Sequence, residues 1–168
     1  MKSRSYLFTA MLVAPLALMA SKDYSFNTPK VTDVKVTGGF WLSRVETNRL
    51  ATLKTDFEKC NETPRINNFK NAAARKWGTF GGIFYDDSDV YKVMEGAAYI
   101  YAANPDPELK KQMTELIATM AKAQEPDGYL YTARLLGSPQ VRHNARWENL
   151  VSSHELYNQG HMIEAAVA

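Results

Sequence analysis

Apolar positions recur at helical spacing along most of this chain, and the breaks between them fall at Gly, Pro and Asp clusters. Residues 41–60 contain no Gly or Pro and carry Leu42, Leu53, Phe57 and Cys60 on one side, which predicts a long helix. Residues 63–82 are punctuated by Pro64, Asn67-Asn68, Gly78 and Gly81-Gly82, leaving room for a short helix near 68–76. Asp86-Asp87-Ser88 then offers N-cap chemistry for a helix over 89–103. Val90, Tyr91, Val93, Met94, Ala97, Ala98, Ile100 and Tyr101 surround that helix, so it is predicted to be buried on most sides. Asp106 caps the next helix, with Pro107 at its favoured first position. Over 108–124, Leu109, Met113, Leu116, Ile117 and Met120 form one stripe and Lys110, Lys111, Glu115 and Lys122 point away. That pattern predicts a half-exposed outer helix, stopped by the turn Pro126-Asp127-Gly128. Residues 134–149 read as loop. Before all of this, Val31-Thr-Asp-Val34-Lys-Val36-Thr alternates and ends at Gly38-Gly39, which predicts one short strand.

The last helix, from His154, has two unlike faces. With His154 at 0°, Asn158 falls at about 40°, His161 at about −20° and Ala165 at about 20°. Leu156, Ile163 and Val167 occupy the opposite stripe. One face is thus apolar and the other small, uncharged and hydrogen-bonding, the composition of a wall beside a polar pocket. His154, His161 and Asn158 are therefore the candidate ligand-contacting residues, set against the plainer reading that both imidazoles are simply satisfied core or surface side chains. A metal site on this helix alone lacks ligands, because the third histidine, His143, lies in the loop stretch.

A buried helix, an outer amphipathic helix, a long loop and a pocket-lining helix together predict an all-α architecture of nested helix rings. The sequence reaches Ala168 within an apolar helical run lacking a stop signal, so the N-terminal part of a longer protein is expected.

Composition narrows the field. The 168 residues carry a net charge of +2 with dispersed basic groups, which gives no support to a nucleic-acid partner. Met1-Lys-Ser-Arg-Ser followed by an apolar run from Tyr6 to Ala20 reads as a signal peptide over 1–20, too short to span a bilayer. Export to the periplasm or medium is expected, with 21–33 as the leader of the mature chain. The single cysteine, Cys60, forms no internal disulfide and reads as a small buried hydrophobe.

Ordered motifs then carry a resemblance. Gly39-Phe-Trp41-Leu-Ser-Arg44, Asn68-Phe-Lys70, Gly82-Ile-Phe84, Asp87-Ser-Asp-Val-Tyr-Lys92, Glu95-Gly-Ala-Ala-Tyr99, Asn104-Pro-Asp-Pro-Glu108, Ala123-Gln-Glu-Pro-Asp-Gly-Tyr-Leu130, Ser153-His-Glu-Leu-Tyr157 and Gly160-His161-Met-Ile-Glu-Ala-Ala-Val-Ala168 stand in the order and spacing of glycoside hydrolase family 127. The chain resembles this β-L-arabinofuranosidase-like group from about residue 34 to residue 168. Val93 departs from it, standing where the family usually has Trp.

The resemblance implies an (α/α)6 barrel catalytic domain, incomplete over 34–168, and hydrolysis of β-linked L-arabinofuranosides or related plant cell-wall sugars. It implies that His154, in the Ser-His-Glu motif, touches the sugar; His161 and Asn158 share its stripe, either as further contacts or as support behind it. It also implies a zinc-held cysteine nucleophile and a glutamate acid/base in the parent enzyme. That centre takes three cysteines, and this sequence has one. No catalytic residue and no metal ligand is therefore assigned here, no cofactor is expected on this chain alone, and the chain alone is expected to be inactive. The expected partner is an L-arabinofuranose-containing glycan, with no nucleic acid and no membrane after signal cleavage. Two other readings stay open: another (α/α)6 sugar enzyme, of the unsaturated glucuronyl hydrolase or epimerase kind, and a non-catalytic carbohydrate-binding remnant.

Overall fold

The computed structural model describes residues 26–168; the expected signal segment lies outside them. Helix α1 (Gly39–Thr47) runs through a π-wound stretch (Asn48–Thr52) into α2 (Leu53–Glu62), so the helix expected over 41–60 is one continuous rod, slightly longer at both ends. Thr63 and Pro64 turn the chain into α3 (Pro64–Ala73), with proline at the first turn where its missing N–H costs nothing. Then follow α4 (Asp87–Ala103), α5 (Pro107–Ala123), a single turn α6 (Thr132–Leu135) that overlaps the start of the stretch read as loop, and α7 (Glu155–Val167). The cap on α5 forms as expected: Asp106 Oδ1 accepts from Glu108 N at 2.8 Å and Leu109 N at 2.9 Å.

Two expectations are corrected. The predicted strand at 31–37 is a 3-10 turn (Val31–Asp33) followed by extended, exposed backbone, and the described residues contain no strand. Alternation alone cannot make a strand where no neighbouring strand supplies its hydrogen bonds. Helix α4 is not buried all round either. Val90, Tyr91, Met94 and Ala97 form one buried face, while Tyr99 on the far side is 41% exposed.

The core is stacked from single faces of four helices. Leu53, Phe57 and Cys60 of α2 meet Ile66, Phe69 and Ala72 of α3, the buried face of α4, and Leu116 and Ala123 of α5. Phe69 and Tyr91 pack edge to face at 5.6 Å. Helix α7 lies along α4, and α3 along α5.

Between α5 and α7 the chain from 124 to 154 is fastened at several points. Arg75 caps the end of α5, donating to the carbonyls of Lys122, Ala123 and Gln124 at 3.3, 2.9 and 2.7 Å. Gly137 accepts the Trp77 ring so closely that a Cβ there would sit 2.5 Å from it.

Candidate functional site

The fastening of this segment builds the site. Asp87, at the first position of α4, is wholly buried and turns its carboxylate across to α6. It accepts from Thr132 N at 2.7 Å and from Thr132 Oγ1 at 2.5 Å. Burial pushes its pKa up from 3.8 to about 7, against the two Thr132 hydrogen bonds that favour the charged form.

A second buried carboxylate organises the start of α7. Glu155 has no exposed surface and receives four donors: Tyr129 Oη at 2.5 Å, Arg134 Nε at 3.1 Å, Trp147 N at 2.9 Å and Ser153 Oγ at 3.2 Å. A buried carboxylate is tolerable only with such complete pairing. Tyr129 is 5% exposed and serves as an anchor for Glu155.

His154 precedes the helix rather than sitting within it. Its backbone is left-handed, with φ 56°, and it stands at the N-cap position. Asn158 fixes this conformation: its backbone N–H and its Nδ2 both donate to the His154 carbonyl, each at 2.9 Å. Asn158 itself is fully buried, which makes it a holder of His154 with no surface open to a ligand. The His154 ring is half-buried among Phe84, Tyr85 and Tyr157, with centroids 5.1, 5.0 and 5.7 Å away, and its Nδ1 lies 3.1 Å from the Ser152 carbonyl. Tyr157 also meets the His161 ring edge-on at 4.7 Å, and His161 Nδ1 pairs with Glu164 at 2.9 Å.

Lys92 of α4 ties this cluster to its neighbour helix by donating to Tyr157 Oη at 2.6 Å. That bond, with Ser88 next in weight, lowers the Tyr157 pKa below the ordinary phenol value. The result is a half-exposed rim of two imidazoles, three aromatic rings and one ammonium at the N-terminal ends of α4 and α7. Such a rim offers hydrogen bonds and ring edges to a polyhydroxylated ligand.

Periodicity found the two faces of α7 without saying which of them lies inward. The structure buries Glu155 and Asn158 against α4 and the loop, while Leu156, Ile163 and Val167 are 55%, 59% and 82% exposed. His154 and His161 flank the buried stripe. They line neither of the two hollows of about 660 Å3, one between α2 and α5 and one apolar groove among α4, α5 and α7.

Among the described residues no three His, Cys, Asp or Glu side chains stand together as metal ligands. Cys60 is buried in α2 and its thiol pKa is raised by that burial, the opposite of an activated thiolate. These residues do not fit a zinc–thiolate centre. Nor is any described helix long and apolar enough to cross a membrane.

Helices stacked without a sheet among the described residues, with polar side chains gathered where helix N-termini meet, define an all-α domain of the helical-barrel type. The chain belongs to the GH127 family: the model of the β-L-arabinofuranosidase, GH127 catalytic domain, matches residues 33–168. The non-reducing end β-L-arabinofuranosidase of Bifidobacterium longum subsp. longum is 44% identical over 103 residues, 61% of this chain and 16% of the relative. A solved GH127 β-arabinofuranosidase superimposes with TM-score 0.75 at 43% identity, over 82% of this chain and 22% of that one. A GH127 β-L-arabinofuranosidase from Geobacillus stearothermophilus T6 gives 0.73 at 36% identity, over 79% and 21%. This chain therefore spans about a fifth of the solved relatives and less of the curated one.

Glu155, Asp87, Lys92, Tyr157 and Trp147 were not singled out as site residues from the sequence. Asp87, Lys92, Glu155 and Tyr157 all fall inside the family-like motifs. What reveals their roles is that residues distant in sequence, such as Lys92 and Tyr157, come into contact.

Proposed function

We propose that the protein is an exported glycoside hydrolase acting on β-linked L-arabinofuranosides, and that the described residues form one wall of its sugar pocket. The carrying observation is His154: a half-exposed imidazole in enforced left-handed backbone, framed by aromatic rings, in a chain of this family. A non-glycine residue keeps such backbone only where its surroundings impose it, which is common where side chains must be aimed. In this reading His154 hydrogen-bonds a sugar hydroxyl and His161 extends the same polar rim. Asn158 acts through His154 rather than on the sugar, and Lys92–Tyr157 holds the two imidazoles apart. A zinc-held nucleophile, if the protein uses one, draws its ligands from residues other than these.

The test uses full-length protein and a β-L-arabinofuranoside. His154→Ala is expected to lower kcat/KM roughly tenfold to a hundredfold, the size of one lost hydrogen bond to substrate, with an unchanged circular-dichroism spectrum. Unchanged kinetics in that variant would remove His154 from the pocket. N-terminal sequencing of the exported protein, expected to start near Ser21, checks localisation.

A further inference from the structure

Three non-glycine residues among those described hold left-handed backbone: Arg75, Trp147 and His154. Arg75 is accounted for by the carbonyls it caps. Glu155, the residue after His154, accepts the backbone N–H of Trp147 at 2.9 Å. The buried Glu155 carboxylate thus holds the left-handed backbone of Trp147, while Asn158, one turn further along the same helix, holds that of His154.

Packing alone does not explain Trp147. Its indole touches Tyr129 edge-on at 5.4 Å, yet the residue remains 42% exposed. Beside it opens a recess of about 230 Å3 lined by Asp127, Gly128, Tyr129, Arg146, Trp147 and Gln159. The charges there are already matched. Arg146 pairs with Glu125 and with Asp127, at 2.6 Å to the latter, and its guanidinium lies 4.0 Å from the Tyr129 ring centre. An ionic ligand would find no unpaired partner. A purely apolar ligand would have to strip water from a carboxylate, an amide and a guanidinium. A neutral ring with one apolar face and a rim of hydroxyls meets both the indole and the polar lining.

We propose that Trp147 is a stacking platform for a second sugar unit, distinct from the one held by His154, with Glu155 fixing the backbone from which the indole projects. This rests on the reading that the protein takes arabinofuranose-type glycans. It adds a subsite whose contribution appears only with substrates longer than one sugar.

The experiment compares a methyl β-L-arabinofuranoside with a β-linked arabinofuranose disaccharide on full-length protein. Trp147→Leu keeps an apolar side chain but removes the aromatic face; Trp147→Phe keeps a face. The Leu variant is expected to raise KM for the disaccharide about tenfold, with kcat and the methyl glycoside within twofold of wild type. The Phe variant should stay within threefold on both. Unchanged disaccharide KM in the Leu variant, or equal losses on both substrates, overturns the subsite while leaving the assignment of His154 intact.

A measurement on unmutated protein covers a folding failure in either variant. Oxidation of Trp147 by N-bromosuccinimide, mapped by peptide mass, should slow with the disaccharide and not with the methyl glycoside; no protection overturns the proposal. If no arabinofuranoside is cleaved, the functional reading fails. Protection of Trp147 by other neutral oligosaccharides would then still uphold a sugar platform, and its absence across such a panel would overturn that too.

Discussion

Two regions of this molecule are stabilised by different physics. The stack of α2, α3, α4 and α5 is held by apolar faces, with Phe69, Val90 and Ala97 essentially without exposed surface. The segment from 124 to 158 is held by two buried carboxylates, Asp87 and Glu155, that gather donors from across the loop. Apolar packing is non-directional and tolerates rearrangement, whereas hydrogen bonds to a buried charge fix directions and leave a large penalty when one partner is lost. The directed scheme is found around His154 and Trp147, the two residues proposed to meet sugar. The non-directional one forms the support beneath.

The largest effect should come from removing Glu155. Glu155→Ala leaves Arg134, whose side chain is 14% exposed, without its carboxylate and strands the Tyr129 hydroxyl and Trp147 N–H. Breaking a buried pair in this way costs about 3–5 kcal/mol. Urea unfolding would measure that loss, and Glu155→Gln should recover part of it. Hydrogen exchange decides the comparison itself. Residues 129–153 should lose protection far more than α2 and α3 do; equal loss everywhere would mean that the two regions open as one unit.

Asp87 gives the second effect, through pH. Its folded pKa of about 7 lies above the 3.8 of an ordinary aspartate. Between those values the folded state keeps a proton that the unfolded state has released. The stabilisation is therefore complete below pH 3.8 and is lost as pH rises towards 7. A shift of this size corresponds to a change on the order of 4 kcal/mol. Other carboxylates titrate in the same window, so the readout is the difference between wild type and Asp87→Asn. That difference should shrink steadily from pH 4 to pH 7; a constant offset would mean that Asp87 stays charged throughout.

How much of this could be read from sequence follows from the same contrast. Helices α2 and α5 were legible because their buried residues recur at helical spacing, and the α5 cap because Asp106 and Pro107 act locally. The ordered motifs gave the family and the barrel class. The inward face of α7 was not legible. Its polar residues Glu155 and Asn158 are buried only because the loop delivers donors from positions 129, 134 and 147, a relation with no period. Leu156, Ile163 and Val167 recur at helical spacing, yet their stripe is exposed. The failed strand at 31–37 has the same origin, since local alternation says nothing of a partner.

The smallest effect probes the border between the two regions. Tyr91 belongs to the apolar stack, packing against Phe69, and it lies one helical turn beyond Asp87. Its hydroxyl is buried without a hydrogen-bond partner, and burial together with the nearby Asp87 charge holds its pKa well above the usual phenol value. An unpaired buried hydroxyl is unfavourable, whereas the ring beneath it contributes packing that phenylalanine retains. Tyr91→Phe should therefore be neutral or stabilising by about 1 kcal/mol in urea unfolding, against the usual sign for a core substitution. It should also leave the Asp87 pH dependence nearly unchanged, because the carboxylate's donors come from Thr132. A loss of more than about 1 kcal/mol would show instead that the hydroxyl is bonded through a buried water. The polar network would then extend into α4, and the boundary drawn between directed and non-directed packing would have to move with it.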